Sequence, residues 1–256
     1  MTRKSAIGCA LLLGGVLALG VGERAAAQQS SWPPETLHNL QVLEPDTSVQ
    51  DIVGIMRSVT GDLGVTCTYC HVGDDPSDLS SIDFVSDDKV EKQKARAMLR
   101  MVQAINVDLL VDFPGRSDPP VEVDCATCHH GVLAPVDIRD ILVGKIAEEG
   151  AEAAAEEYRR LRAQYYGSAS YDFRDFMLIS VAERVGRENP DAAVFILELN
   201  AEFYPRAART YATLAQIYGS QRDYPAAIEA LERALEIEPD NDLYKRFMDV
   251  LRGRVG

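Results

Sequence analysis

The sequence is short of cysteine, histidine, tryptophan and positive charge. Its 256 residues include five cysteines, four histidines and one tryptophan, and 26 Lys plus Arg stand against 40 Asp plus Glu, a net charge of −14. So acidic a chain repels phosphate backbones and anionic lipid, which argues against a nucleic-acid or polyanion-binding role. Long apolar runs are also scarce: only Ala6 to Val21 approaches membrane-spanning length, and it lies at the N-terminus. No Ser/His/Asp signature and no Gly-rich phosphate loop occurs, so the usual hydrolase and nucleotide-binding classes lose their sequence support. What remains is ordinary globular composition, 46% hydrophobic and 26% charged, enough for one or two domains with buried cores.

The start, Met1-Thr2-Arg3-Lys4, leads into that apolar run and then into Glu23-Arg24-Ala25-Ala26-Ala27-Gln28. A basic n-region, an apolar h-region and an A-x-A exit predict a signal peptide over residues 1–27. The competing reading is a retained anchor, but the run is glycine-rich and its small-residue exit is well formed. Cys9 as a lipidated cysteine fails because the residues before it are too few to form an h-region. Cleavage after Ala27 leaves 23 basic and 39 acidic residues, net −16, and no membrane span. The expected location is periplasmic or extracytoplasmic.

Export makes the other four cysteines informative, since an oxidising compartment normally pairs thiols. They are not spaced as disulfides. Cys67-Thr68-Tyr69-Cys70-His71 and Cys125-Ala126-Thr127-Cys128-His129 are two copies of C-x-x-C-H, and they use every mature cysteine. Two thiols three positions apart can add to the two vinyl groups of one haem, and the next residue then places its imidazole beneath the iron. The pattern predicts two covalently bound haem c groups, with His71 and His129 as proximal ligands. A zinc site from two C-x-x-C pairs, or two redox dithiols, leaves the histidine after each pair unexplained.

Whether each iron is open or closed depends on a sixth ligand, and only His38 and His130 remain as further histidines. Methionine therefore enters. Thr47-Ser48 followed by Asp51 reads as a helix N-cap, with Val49, Ile52, Val53, Met56 and Val59 at helical spacing and Gly61 and Gly64 ending the helix before Cys67. Ahead of the second motif, Ser86-Asp87-Asp88 reads as a cap, and Ala97, Met98, Met101, Val102, Ile105 and Leu109 form an apolar stripe. A methionine on such a face is more often core than ligand. Here the haem is itself the core these helices must cover.

The stretch from about Thr36 to Pro135 resembles the cytochrome c subunit of photosynthetic reaction centres. The resemblance rests on Asn39-Leu40-Gln41-Val42-Leu43, the Met56 helix, Gly64 to Val72, Ala97-Met98-Leu99-Arg100-Met101 with Ile105-Asn106, and Cys125 to Gly131, and it covers about two-fifths of the chain. It implies Met56 opposite His71 and Met98 opposite His129, with Met101 matching a second family methionine that is not a ligand. Met101 and His130 stay as rival sixth ligands of the second iron. The family subunit carries four haems in two halves, whereas this chain has residues for one half. Where the family places a histidine to serve a fourth haem, this chain has Asp112. Photosynthesis does not follow from the resemblance.

Around these motifs, His38 is a residue that can pack on or cap a haem, and Trp32, Tyr69 and Phe84 can shield haem faces. Arg100 and Arg116 are candidate propionate partners, although solvated surface charge is the commoner fate of such residues.

After Pro135 the composition turns to Ala, Glu, Arg and Leu with helical periodicity. Tyr211, Leu214, Ala215, Tyr218, Tyr224, Ala227, Leu231, Ala234 and Pro239 match the tetratricopeptide pattern of about 34 residues. A degenerate copy lies upstream, with Ala193, Leu197 and Pro205 in equivalent places and a longer turn over Gly186 to Asp191. The amphipathic stretch Ile138 to Tyr166 supplies another helix pair, and Asp242 to Arg252 a cap. Met177, Met248, Tyr211 and Phe247 read as repeat core. Such a domain offers a partner-binding groove, or else only a solubilising appendage.

The sequence thus predicts an all-α protein: a signal peptide over 1–27, a di-haem cytochrome c domain over 28–135 with little regular sheet, and a tetratricopeptide-like domain over 136–256. Residues 28–135 carry 7 basic and 17 acidic side chains and residues 136–256 carry 16 and 22, so a redox protein partner with a basic docking face is expected. The exposed run Asp74-Asp75-Pro76-Ser77-Asp78 is a candidate docking edge. The expected act is electron transfer. The rivals are a di-haem enzyme with one open iron, such as a peroxidase or small-oxyanion reductase, and a repeat-based assembly protein.

Overall fold

The computed structural model describes residues 32–255. The expected leader and Cys9 lie outside the described residues. Among those described, helices are the only extended elements, and one isolated antiparallel bridge joins Val72 to Asp83.

Helix α1 spans Val49–Leu63. Ser48 caps it as expected, its hydroxyl oxygen accepting from the Asp51 N–H at 3.1 Å. Gly61 lies inside the helix. Gly64 alone ends it, with φ 66° and its N–H returned to the Gly61 carbonyl, because the last carbonyls need donors that only a left-handed residue can present. The chain then turns straight into α2, Cys67–Cys70.

Helix α3, Val90–Ala104, corrects one expectation. Ser86-Asp87-Asp88 does not cap it; Lys89 precedes the first turn with no side-chain cap. Asp87 turns instead to cations, meeting Arg96 at 2.9 Å and Lys92 at 3.1 Å and accepting from Asn39 Nδ2 at 2.8 Å. Lys92 and Arg96 are buried, so a carboxylate beside them satisfies two charges that a backbone cap would leave alone. Lys92 Nζ also donates to the Phe84, Val85 and Ser86 carbonyls at 2.7–3.0 Å.

A single π-helical turn, Ile105–Leu109, follows α3. Within it Asn106 clasps the backbone of Val123 from both sides, donating through Nδ2 and accepting through Oδ1 at 2.8 Å each. That clasp holds the segment entering α4, Cys125–His129, whose first turn is closed by a reciprocal Asp124 and Thr127 capping box.

Seven helices complete the chain: α5 (Ile138–Glu149), α6 (Ala151–Tyr165), α7 (Asp175–Val185), α8 (Pro190–Phe203), α9 (Ala208–Ser220), α10 (Tyr224–Ile237) and α11 (Asp242–Val255). Consecutive helices pack in pairs, α5 on α6, α7 on α8 and α9 on α10, with α11 against α10. The turn inside the degenerate pair runs over 186–189 against 221–223 in the next, so it is longer by one residue. Ala227, Leu231 and Ala234 are fully buried, the two alanines being the small residues that let helices approach closely. Met177 and Met248 are core, and Tyr211 and Phe247 pack against it.

Burial is divided unevenly. From Ile138 onward the chain forms two continuous apolar clusters. Between residues 32 and 135, among the described residues, only Ile82 and Val132 are buried apolar side chains. More than a hundred residues with so little core need another apolar body to pack on.

Candidate functional site

The first motif lies in a cavity. Met56 from α1, Cys67, Cys70 and His71 line it together, with α3 contributing Lys92, Ala95, Arg96 and Leu99. The remaining wall is mostly aliphatic, including Leu37, Leu40, Val53 and Val59, and the space, open mouth included, is about 1410 Å³. This suits a large, flat apolar group with a few polar edges far better than a small polar substrate. Trp32, Phe84 and His38 belong to the same wall, with Phe84 bridging Trp32 and His71 at 4.9 Å between ring centres on each side. His38 is engaged with the Thr36 hydroxyl at 3.1 Å. Tyr69, the third aromatic named as able to shield a haem, does not line this cavity.

His71 is suited to ligation. Burial, aided by Lys92 and Arg96, pushes its pKa down to about 4, so the ring is neutral, and its buried Nδ1 has no partner. Burial pushes the Cys70 and Cys125 thiols up, the reverse of what an activated nucleophile needs. The two C-x-x-C pairs do not converge: among the described residues no three His, Cys, Asp or Glu side chains surround one point.

The second motif sits on a more open surface. Cys125 is half-buried, Cys128 is exposed, and Met98 and Met101 are each 48% exposed. Both methionines lie away from the α3 face that lines the first cavity. His129 Nδ1 is bonded to the Val132 carbonyl at 3.0 Å. Since a carbonyl only accepts, the ring carries its proton on Nδ1 and leaves Nε2 free as a ligand. His130 is exposed and left-handed, φ 48°.

The two motifs are neighbours. Gly131 N–H donates to the Asp62 carbonyl at the end of α1 at 2.9 Å, and a Cβ on Gly64 would collide with the Gly131 carbonyl oxygen. Of the two arginines that were candidates for propionates, Arg100 reaches only the Gln41 carbonyl at 3.5 Å, while Arg116 holds a buried, unpartnered Nε. Three cations line the first cavity, Arg57, Lys92 and Arg96, and the two that are buried, Lys92 and Arg96, are ones sequence reasoning missed. Their signal was available, two cations one helical turn apart on the face that also carries Leu99, with a carboxylate a few residues upstream.

Helices carrying C-x-x-C-H turns, a methionine lining the same apolar cavity as the first histidine, and stacked helical pairs after them define a cytochrome-like protein with helical repeats. The family described as photosynthetic reaction centre cytochrome C subunit matches residues 20–220, and the tetratricopeptide repeat matches residues 208–241. The chain belongs to the reaction centre cytochrome c subunit family. The match reaches well past Pro135, so the family likeness is broader than its haem-binding motifs. Cytochrome c-554 of Chloroflexus aurantiacus is 37% identical over 97 residues, 38% of this chain and 21% of that protein. The photosynthetic reaction center cytochrome c subunit of Rubrivivax gelatinosus is 32% identical over 93 residues, 32% of this chain and 23% of that protein. The chain spans about a fifth of the length of these curated relatives.

Proposed function

We propose that this protein is an exported di-haem electron carrier. Cys67 and Cys70 anchor one haem c by adding their thiols across its vinyl groups, with His71 and Met56 as iron ligands. Cys125 and Cys128 anchor the other, with His129 and Met98 as ligands. A bound haem supplies reversible one-electron chemistry at its iron.

The observation that carries this reading is the cavity that collects Met56, Cys67, Cys70 and His71 in a region where, among the described residues, only Ile82 and Val132 are buried apolar side chains. A haem is the missing core. The chain's own tasks are to hold the ring covalently, to present neutral imidazole and thioether to iron, and to keep water from its faces with Leu37, Leu40 and Phe84. Thioether on each iron raises its potential relative to a second imidazole and closes it to small molecules.

The domains follow the same division, a di-haem unit to about residue 135 and a helical-repeat unit beyond it that docks a protein partner. The partner for electron exchange presents a basic face. On the haem-binding side, exposed Val107, Leu109, Val111 and Phe113 are interleaved with Asp108 and Asp112, an apolar patch among carboxylates. In the Asp74–Asp78 run, exposed as well, Asp75 and Asp78 accept from the Ser77 and Ser80 N–H groups in tight turns.

A second reading, a di-haem enzyme with an open second iron, is favoured by the exposure of Met98 and Met101. The mass of the mature protein tests the cofactor count directly. Two haem increments, falling to one in a Cys125→Ala/Cys128→Ala chain, are expected; no covalent haem contradicts the proposal.

A further inference from the structure

One loop of the repeat region reaches the second haem motif. After α6, Gly167 turns the chain with φ 87°, and Ser168 Oγ donates to the Tyr165 carbonyl at 2.7 Å while accepting from the Ser170 N–H at 3.3 Å. Tyr171 packs edge-on against Tyr165 at 5.3 Å and against Phe173 at 6.2 Å. So braced, Ser170 Oγ donates to the carbonyl of His130 at 2.6 Å, forty positions away in sequence.

That carbonyl lies in a turn whose other groups are engaged as well. His130 and Gly131 are both left-handed, at φ 48° and 80°. Gly131 N–H is held by the Asp62 carbonyl of α1, and the Gly131 carbonyl abuts Gly64. Val132 is buried, and its carbonyl accepts from His129 Nδ1. Four consecutive residues are thus tied to the helix that carries Met56, to the ring of His129, and to the repeat region. Gly131 takes positive φ freely, but the left-handed His130 is a costly conformation for a free loop, so the external bonds are what hold the turn in shape.

We propose that Ser170 is a positioning residue for the second haem. By fixing the His130 carbonyl it fixes the turn that places the Val132 carbonyl against His129 Nδ1–H, and so makes the repeat region part of the second redox site. This rests on the reading of His129 as an iron ligand. An Nδ1–H donated to a well-placed carbonyl makes the imidazole a stronger electron donor, which favours the oxidised iron and lowers its potential. Without Ser170 the turn relaxes, that bond lengthens, and the potential of the second haem rises. The first haem, held by His71, whose Nδ1 has no such partner, does not respond.

A stepwise redox titration of the mature chain tests this on wild type, Ser170→Ala and Ser170→Thr, with haem quantified in each. The expected result is an upward shift of one of two potentials in Ser170→Ala, its return in Ser170→Thr, and no shift when Ser170→Ala is placed in the Cys125→Ala/Cys128→Ala chain that keeps only the first haem. The His129 Nδ1 proton resonance moves in Ser170→Ala by the same account, which gives a reading independent of the electrode. Unchanged potentials with an unmoved resonance overturn the proposal, as does a shift that Thr fails to reverse or that persists in the single-haem chain. If wild type itself carries fewer than two haems, the reading of the second motif falls and the proposal with it.

Discussion

At the scale of single residues, Asp87 and Gly64 are each held by specific neighbours, buried cations for the first and the Gly131 backbone for the second. Hydrogen bonds from Arg96, then Lys92 and Asn39, hold the Asp87 carboxyl well below the usual carboxylate range. A depressed folded-state pKa means that its stabilisation is complete above the unfolded value of 3.8 and is lost as the pH falls from there. Asp87→Asn is therefore expected to lower the thermal midpoint at neutral pH, with a deficit that shrinks steadily below about pH 4; a deficit of constant size would contradict this. Gly64 is left-handed and faces the Gly131 carbonyl. Gly64→Ala should cost at least ~1–2 kcal/mol in chemical denaturation, because an L side chain there is strained by its own backbone and meets a neighbouring one. A variant as stable as wild type would show that the two motifs are not packed as described.

Among the elements, legibility followed the source of order. The Met56 helix with its Ser48 cap, both C-x-x-C-H turns, and α9 through α11 were readable because each rests on local rules of capping, periodicity or ligand spacing. The start of α3 is not legible in the sequence, since Asp87 answers to buried cations that only the fold brings to it. The Asn106 clasp and the Ser170 contact are equally invisible in sequence, each joining residues 17 and 40 positions apart. The candidate site was legible as chemistry, through the motifs and methionines, but not as electrostatics, since Lys92 and Arg96 look like ordinary helix-surface charges until burial is known. The repeat helices should also be energetically separable from the haem motifs. Leu231 is fully buried between α10 and its neighbours, so Leu231→Ala should destabilise by about 2–5 kcal/mol while the haem content stays at two. Loss of haem in that variant would mean the two regions fold as one unit.

At the scale of the whole molecule, one region is rich in apolar core and the other is nearly without it. The acidic excess over residues 28–135, 17 acidic against 7 basic residues, sets up a long-range field that would attract the basic redox partner proposed above. The second-order rate of reduction by a basic cytochrome should fall as ionic strength rises, and a salt-independent rate would remove electrostatic docking from the account. The central claim is that haem supplies the missing core and that thioether closes both irons. The most direct measurement is the optical spectrum of the mature, haem-quantified protein, oxidised and reduced, with and without carbon monoxide. The account predicts two low-spin haems with the methionine-to-iron charge-transfer band and no response to carbon monoxide. A haem that binds carbon monoxide readily would contradict it and point to an open iron beside Met98.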